Sequence, residues 1–155
     1  MFCCGVDIVG PSSLVTLIET IPPYWSSLSR ELILRIGGDP KTEEGRKFLL
    51  ECSPLTHVDN IKKPLLIGQG ANDPRVKQAE SDQIVEAMVA RKIPVGYVLY
   101  PDEGHGFARP PNHISFNAIS EKFLTNHLGG RREPYGNDFE GSTAEILKGK
   151  EDLLD

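Results

Sequence analysis

The chain has 155 residues, 39% of them hydrophobic and 25% charged, with 17 Lys and Arg against 22 Asp and Glu for a net charge of −5. That is the size and makeup of one globular domain with enough apolar residues for a core. The basic residues are scattered among acidic ones without a basic stripe, which argues against nucleic-acid binding, and no apolar run approaches the length of a membrane span.

In chain order, FCCGVDIV, from Phe2 to Val9, ends at Gly10-Pro11 and predicts a strand buried on both faces. Residues 27–36 follow Pro22-Pro23, have Ser26, Ser27 and Ser29 at hand as caps, and close at Gly37-Gly38, which predicts a helix. Thr42 before Glu43 and Glu44 marks a second helix start, with acids at the positive end of the dipole, and Cys52-Ser53-Pro54 stops it. PLLIGQG, residues 64–70, predicts the second strand. Val76, Ala79, Ile84, Ala87 and Met88 recur at helical spacing up to Arg91. PVGYVLY, residues 94–100, is the third strand; Asn112 is then placed to cap a helix whose Phe116, Ile119, Phe123 and Leu128 form one stripe ending at Gly129-Gly130.

Strands separated by helices predict an α/β class, with about three parallel strands in a three-layer α/β/α arrangement. Residues 1–130 read as the ordered unit and 131–155 as a polar, mobile tail in which Phe139 or Ile146-Leu147 could dock. Cys3, Cys4 and Cys52, odd in number and without C-x-x-C spacing, offer neither a disulfide framework nor a zinc site. A reducing, cytoplasmic setting without metal or cofactor is expected. Cys52 reads as a core thiol at a helix end.

In an open parallel sheet, functional groups collect in loops at the carboxyl ends of the strands. GQGANDPRV presents Asp73 after the second strand, and PDEGHGF presents His105 after the third, 32 residues later. One helix and one strand separate them, so both emerge on the same sheet edge. A carboxylate accepting from one imidazole nitrogen fixes the tautomer and leaves the other nitrogen free to take a proton from a nucleophile. Gly104 and Gly106 keep the loop free of neighbouring side chains. Asp73 is equally suited to cap the helix near Val76, and the two roles are compatible. His57, His113 and His127 lack a glycine frame and read as surface or cap residues. Asp102 and Glu103 read as a solvated turn pair.

The stretch PLLIGQGANDPRVKQAESDQIVEAM, with VLYPDEGHGF and the FLTNHLGG helix end, resembles the carboxyl-terminal part of the prolyl oligopeptidase family of serine peptidases. The resemblance implies a partial α/β-hydrolase fold acting on short peptides, with Asp73 and His105 as acid and histidine of a Ser-Asp-His triad. It implies a substrate contact for Arg75, which matches a carbonyl-holding arginine, and for Val76 beside it; Val9 to Ser12 would border the substrate pocket. No G-x-S-x-G elbow occurs, since Gly10-Pro11-Ser12-Ser13-Leu14 lacks the second glycine. The serine and its oxyanion donors are therefore expected upstream of Met1, leaving this chain incomplete and inactive alone. An inert module acting in binding or oligomerisation, and an esterase of the same fold, are the alternatives. An open apolar edge at Phe2 to Val9 predicts a homo-oligomer.

Overall fold

The computed structural model describes residues 2–154. Four strands form one sheet in the order β1 (Gly5–Ile8), β2 (Leu65–Gly70), β3 (Val95–Tyr100) and β4 (Glu145–Lys148). The first three are parallel; β4 lies antiparallel to β3, with a register shift at Tyr97/Val98. Between β1 and β2 come α1 (Leu14–Glu19), α2 (Ser26–Ile36) and α3 (Glu43–Glu51), with 3-10 turns at Pro23–Trp25 and Pro54–Asn60. The helix α4 (Gln78–Ala90) joins β2 to β3, α5 (Pro110–Leu128) follows β3, and α6 (Lys150–Leu153) follows β4.

Alternating strand residues feed two layers. Leu66, Val98 and Tyr100 pack under Phe116, Ile119 and Phe123 of α5, while Ile67 and Tyr97 face Ile84, Val85 and Met88 of α4. This is the α/β/α layering that period-two strands between amphipathic helices require. Each fully buried side chain of this size contributes about 1.5–3 kcal/mol. Gly68 leaves room for α5, since a Cβ there would lie 2.4 Å from the Phe116 ring. A satellite cluster of Val15, Ile18 and Leu49 holds α1 to α3.

Several expectations are corrected. The three expected parallel strands are present, and a fourth, antiparallel one joins them because residues 131–155, read as a mobile tail, supply β4 and α6. Phe139 and Ile146 pack against the α5 core and Leu153 is fully buried there, whereas Leu147 is exposed. The first strand is short and only half covered: among the described residues it pairs with β2 alone, Val6 and Ile8 are exposed, and Val9 turns the chain away at φ 53°. The short helix α1 carried no periodic signal long enough to predict it. Thr42 caps α3 as expected, accepting from the Gly45 N–H at 3.1 Å. The cap roles expected of Ser26 and Ser27 lie outside the described residues, and Trp25 occupies the cap position of α2. Asn112 is no cap: α5 starts two residues earlier with Pro110 and Pro111 in its first turn, which leaves Asn112 inside the helix and buried. Cys52 is exposed at the end of α3 rather than in the core, and all three cysteines are free. Among the described residues no helix is long and apolar enough to cross a membrane.

Candidate active site

The three parallel strands end on one rim, and the loops leaving β2 and β3 are in backbone contact there. Ala71 N–H donates to Tyr100 C=O (3.0 Å) and Asn72 N–H to Glu103 C=O (2.9 Å). Only glycine fits at 70, because a Cβ would stand 2.2 Å from the Gly104 carbonyl oxygen. Gln69, fully buried, donates to the carbonyl of Val76 and accepts from Ser81, so it ties the end of β2 to the start of α4. Between those ties the chain turns around Asp73. Its Oδ1 accepts from the N–H groups of Arg75 (2.8 Å) and Val76 (2.9 Å), so Asp73 closes the turn before α4 rather than capping the helix, which begins at Gln78.

The second carboxylate oxygen is left for histidine. His105 Nδ1 lies 2.8 Å from Asp73 Oδ2, with the Asp73 side chain wholly buried and a third of the His105 side chain exposed. A carboxylate accepts only, so Nδ1 carries the proton and Nε2 has its lone pair available. Among the described residues Nε2 has no partner. Gly104 and Gly106 bridge each other across His105, and Gly106 takes φ 93°, which a side chain would oppose. The pair can therefore accept a proton at Nε2 and stabilise the resulting imidazolium. Asp73 does two jobs, and the two residues meet as their loop positions predict.

The remaining sequence candidates are placed as follows. Arg75 is exposed and its guanidinium lies 5.5 Å from the Trp25 ring centroid, a cation–π contact that holds the side chain against the 3-10 turn before α2. Val76 is buried, with its N–H given to Asp73 and its carbonyl to Gln69; its side chain is part of the interior. The loop of Val9 to Ser12 leaves β1 on the same rim, with Val9 N–H bonded to Gly68 C=O. Ser12, the nearest look-alike to an elbow serine, is buried and donates its hydroxyl to the Glu80 carbonyl at 2.6 Å. His57 bonds the Glu51 carbonyl, His113 pairs with Asn117 and His127 meets Phe123 edge to face.

Two acids were missed. Glu80, 2% exposed, takes the N–H groups of Ser12 (3.0 Å) and Ser13 (2.9 Å), the Gln83 amide and the Thr16 hydroxyl on its carboxylate, pinning the Val9–Ser12 loop to α4. Glu103, expected to be solvated, is 3% exposed. Burial works against its charge, but the Asn112 amide and the N–H groups of Arg109 and Ala108 outweigh that and hold its carboxyl below the usual range. Asp102 does remain exposed and pairs with Arg109. Nothing local in PDEGHGF separates the buried acid from the exposed one. A third carboxylate, Asp7 on β1, is pushed up by burial and partly restored by the Gly10 N–H. Among the described residues no group of His, Cys, Asp and Glu is arranged to hold a metal.

The profile of the prolyl oligopeptidase family matches residues 27–131. Dipeptidyl aminopeptidase BIII of Pseudoxanthomonas mexicana is 66% identical over 148 residues, 96% of this chain and 21% of that protein. Dipeptidyl peptidase family member 6 of Caenorhabditis elegans is 51% identical over 147 residues, 95% of this chain and 20% of that protein. Among solved structures, a puromycin-hydrolyzing peptidase of Mycobacterium tuberculosis superposes with a TM-score of 0.75 at 28% identity, covering 86% of this chain and 19% of the other. An acylaminoacyl peptidase of Pyrococcus horikoshii shares the fold, with a TM-score of 0.69 at 22% identity over 86% of this chain and 21% of that one. The chain spans about a fifth of the length of the relatives it matches.

Proposed function

Since the chain belongs to the prolyl oligopeptidase family, an α/β-hydrolase family of peptidases, we propose that it carries the acid and the histidine of a serine peptidase that releases dipeptides from short peptides. The observation that carries this reading is the 2.8 Å contact between His105 Nδ1 and the buried Asp73 carboxylate. The dipeptidyl preference rests on the names of the two relatives of highest identity given above.

In the proposed reaction His105 Nε2 removes the proton of a serine hydroxyl supplied by a part of the protein outside this sequence. The serine oxygen adds to the scissile carbonyl, and the imidazolium then passes its proton to the leaving amine as the C–N bond breaks. Water, activated by the same nitrogen, hydrolyses the acyl ester, releases the acid and restores the serine. Asp73 stays ionised throughout and holds the imidazole in one tautomer. Arg75, steadied by Trp25, is placed to donate to a substrate carbonyl. Without a nucleophile the 155 residues alone are inert, since members of a triad act as a unit. The three free cysteines fit a cytoplasmic setting.

The test is a fluorophosphonate probe with a chromogenic dipeptidyl substrate. The isolated chain is expected to show no labelling. In a protein joining this segment to a G-x-S-x-G elbow, turnover is expected to fall on the order of 10⁴-fold on Asp73→Asn and on the order of 10⁶-fold on His105→Ala. Turnover that survives either substitution, or labelling of this chain that disappears with Ser12→Ala, would overturn the reading.

A further inference from the structure

We propose that Glu103 and Asn112 are positioning residues for His105, and that residues 142–144 form a strap that locks them in place; this rests on His105 being the proton carrier. The loop that presents His105 is closed on itself by one carboxylate. Glu103, two residues before the histidine, accepts from the N–H groups of Ala108 and Arg109, both at 2.9 Å, so the chain is clamped on either side of His105. Those donors precede α5, where a negative charge is favoured by the helix dipole. The backbone carbonyl of the same residue accepts the Asn72 N–H, one residue before Asp73. One residue thus sets both the curvature of the histidine loop and its distance from the acid.

Asn112 extends the clamp across the molecule. It is fully buried, and its Nδ2 donates to Glu103 Oε1 at 2.9 Å and Asp102 Oδ1 at 3.0 Å. Its Oδ1 accepts the Thr143 N–H at 2.9 Å, with the Ser142 and Thr143 hydroxyls at 3.2 Å. The Thr143 hydroxyl also reaches Asp102, and Ser142 Oγ meets Ser115 Oγ at 2.7 Å. Both donors and both lone pairs of a buried amide are therefore committed. A buried carboxylate with three donors keeps its geometry because losing any one partner leaves charge and polar groups unpaired. The strap comes from beyond the 27–131 match, yet its bonds converge on the loop that holds His105. A fully bonded acid and amide fix where the loop sits.

The experiment is NMR of the whole 155-residue chain, reading the His105 Nδ1 proton and its exchange with water. The unsubstituted chain is expected to show this proton downfield and slowly exchanging, and Asp73→Asn to remove it. Glu103→Gln, and separately Ser142→Ala with Thr143→Val, are expected to speed its exchange tenfold or more while the melting transition stays cooperative. Absence of the proton from the unsubstituted chain, or its persistence in Asp73→Asn, defeats the Asp73–His105 reading itself. A proton that depends on Asp73 but exchanges within twofold of the unsubstituted rate in either test variant overturns the positioning role alone. Should Glu103→Gln fail to fold, the strap variant, whose groups are only half-buried, decides the matter.

Discussion

Replacing Glu80 by Ala tests how the rim loop after β1 is held. The carboxylate receives the N–H groups of Ser12 and Ser13, the Gln83 amide and the Thr16 hydroxyl, and both serines are at least 95% buried. Truncation leaves two backbone N–H groups without acceptors in a dry site, at about 1–3 kcal/mol each. The Thr16 hydroxyl keeps an alternative acceptor in the Ser13 carbonyl at 3.2 Å. The expected total is about 4 kcal/mol, inside the 3–5 kcal/mol typical of breaking a buried charged cluster. Glu80→Gln keeps one oxygen for the N–H donors and can turn its amide toward the Thr16 oxygen. It loses mainly the charge assistance, which roughly halves each bond, for about 1–1.5 kcal/mol. Urea unfolding followed by circular dichroism measures both, and the Ala variant is expected to melt about 10 °C lower, at about 2–4 °C per kcal/mol for a chain of this length. A cost below about 1 kcal/mol for Glu80→Ala, or equal costs for the two variants, would refute the reasoning.

Two further outcomes follow from β1. Burial raises the Asp7 pKa above its unfolded value of 3.8, so the native state binds the proton more tightly and stability is lost as the pH rises through the folded value. Asp7→Asn, which keeps an acceptor for the Gly10 N–H, should therefore melt higher than the unsubstituted chain at pH 7, with the gain gone below pH 3.8; thermal melts at both pH values check it, and a gain independent of pH would contradict it. The edge strand β1 has exposed Val6 and Ile8, with Phe2 exposed ahead of it, and pairs on one side only among the described residues, so the isolated chain is expected to self-associate there. Gel filtration should show a dimer or larger species that Val6→Lys with Ile8→Lys returns to monomer, and a monomeric unsubstituted chain would rule the edge out.

The parts of the site legible in the sequence are those with a local cause. Gly104 and Gly106 announce a tight loop because they free the backbone, and the strand–helix–strand spacing of Asp73 and His105 puts both on one rim for any right-handed parallel crossover. The supports were hidden because their partners are remote. Glu80 meets Ser12 and Ser13 across 68 and 67 residues, and Asn112 meets Thr143 across 31. Asp102 and Glu103 are adjacent acids with the same local pattern, and only the approach of Asn112 and the start of α5 buries one of them.

The polar segment 131–155 reads as a tail because its apolar residues, Phe139, Ile146 and Leu153 among them, are too sparse to show a period. Those three become core only when β3 offers an edge to pair with and α5 a face to cover. Hydrophobic period and turn chemistry, which act between near neighbours, thus determined the alternating strands and helices and the order of the acid and histidine loops. Tertiary structure alone decided which acids are buried and that the far end of the chain braces His105. Desolvation and hydrogen-bond satisfaction depend on groups brought together in space, and no local pattern carries them.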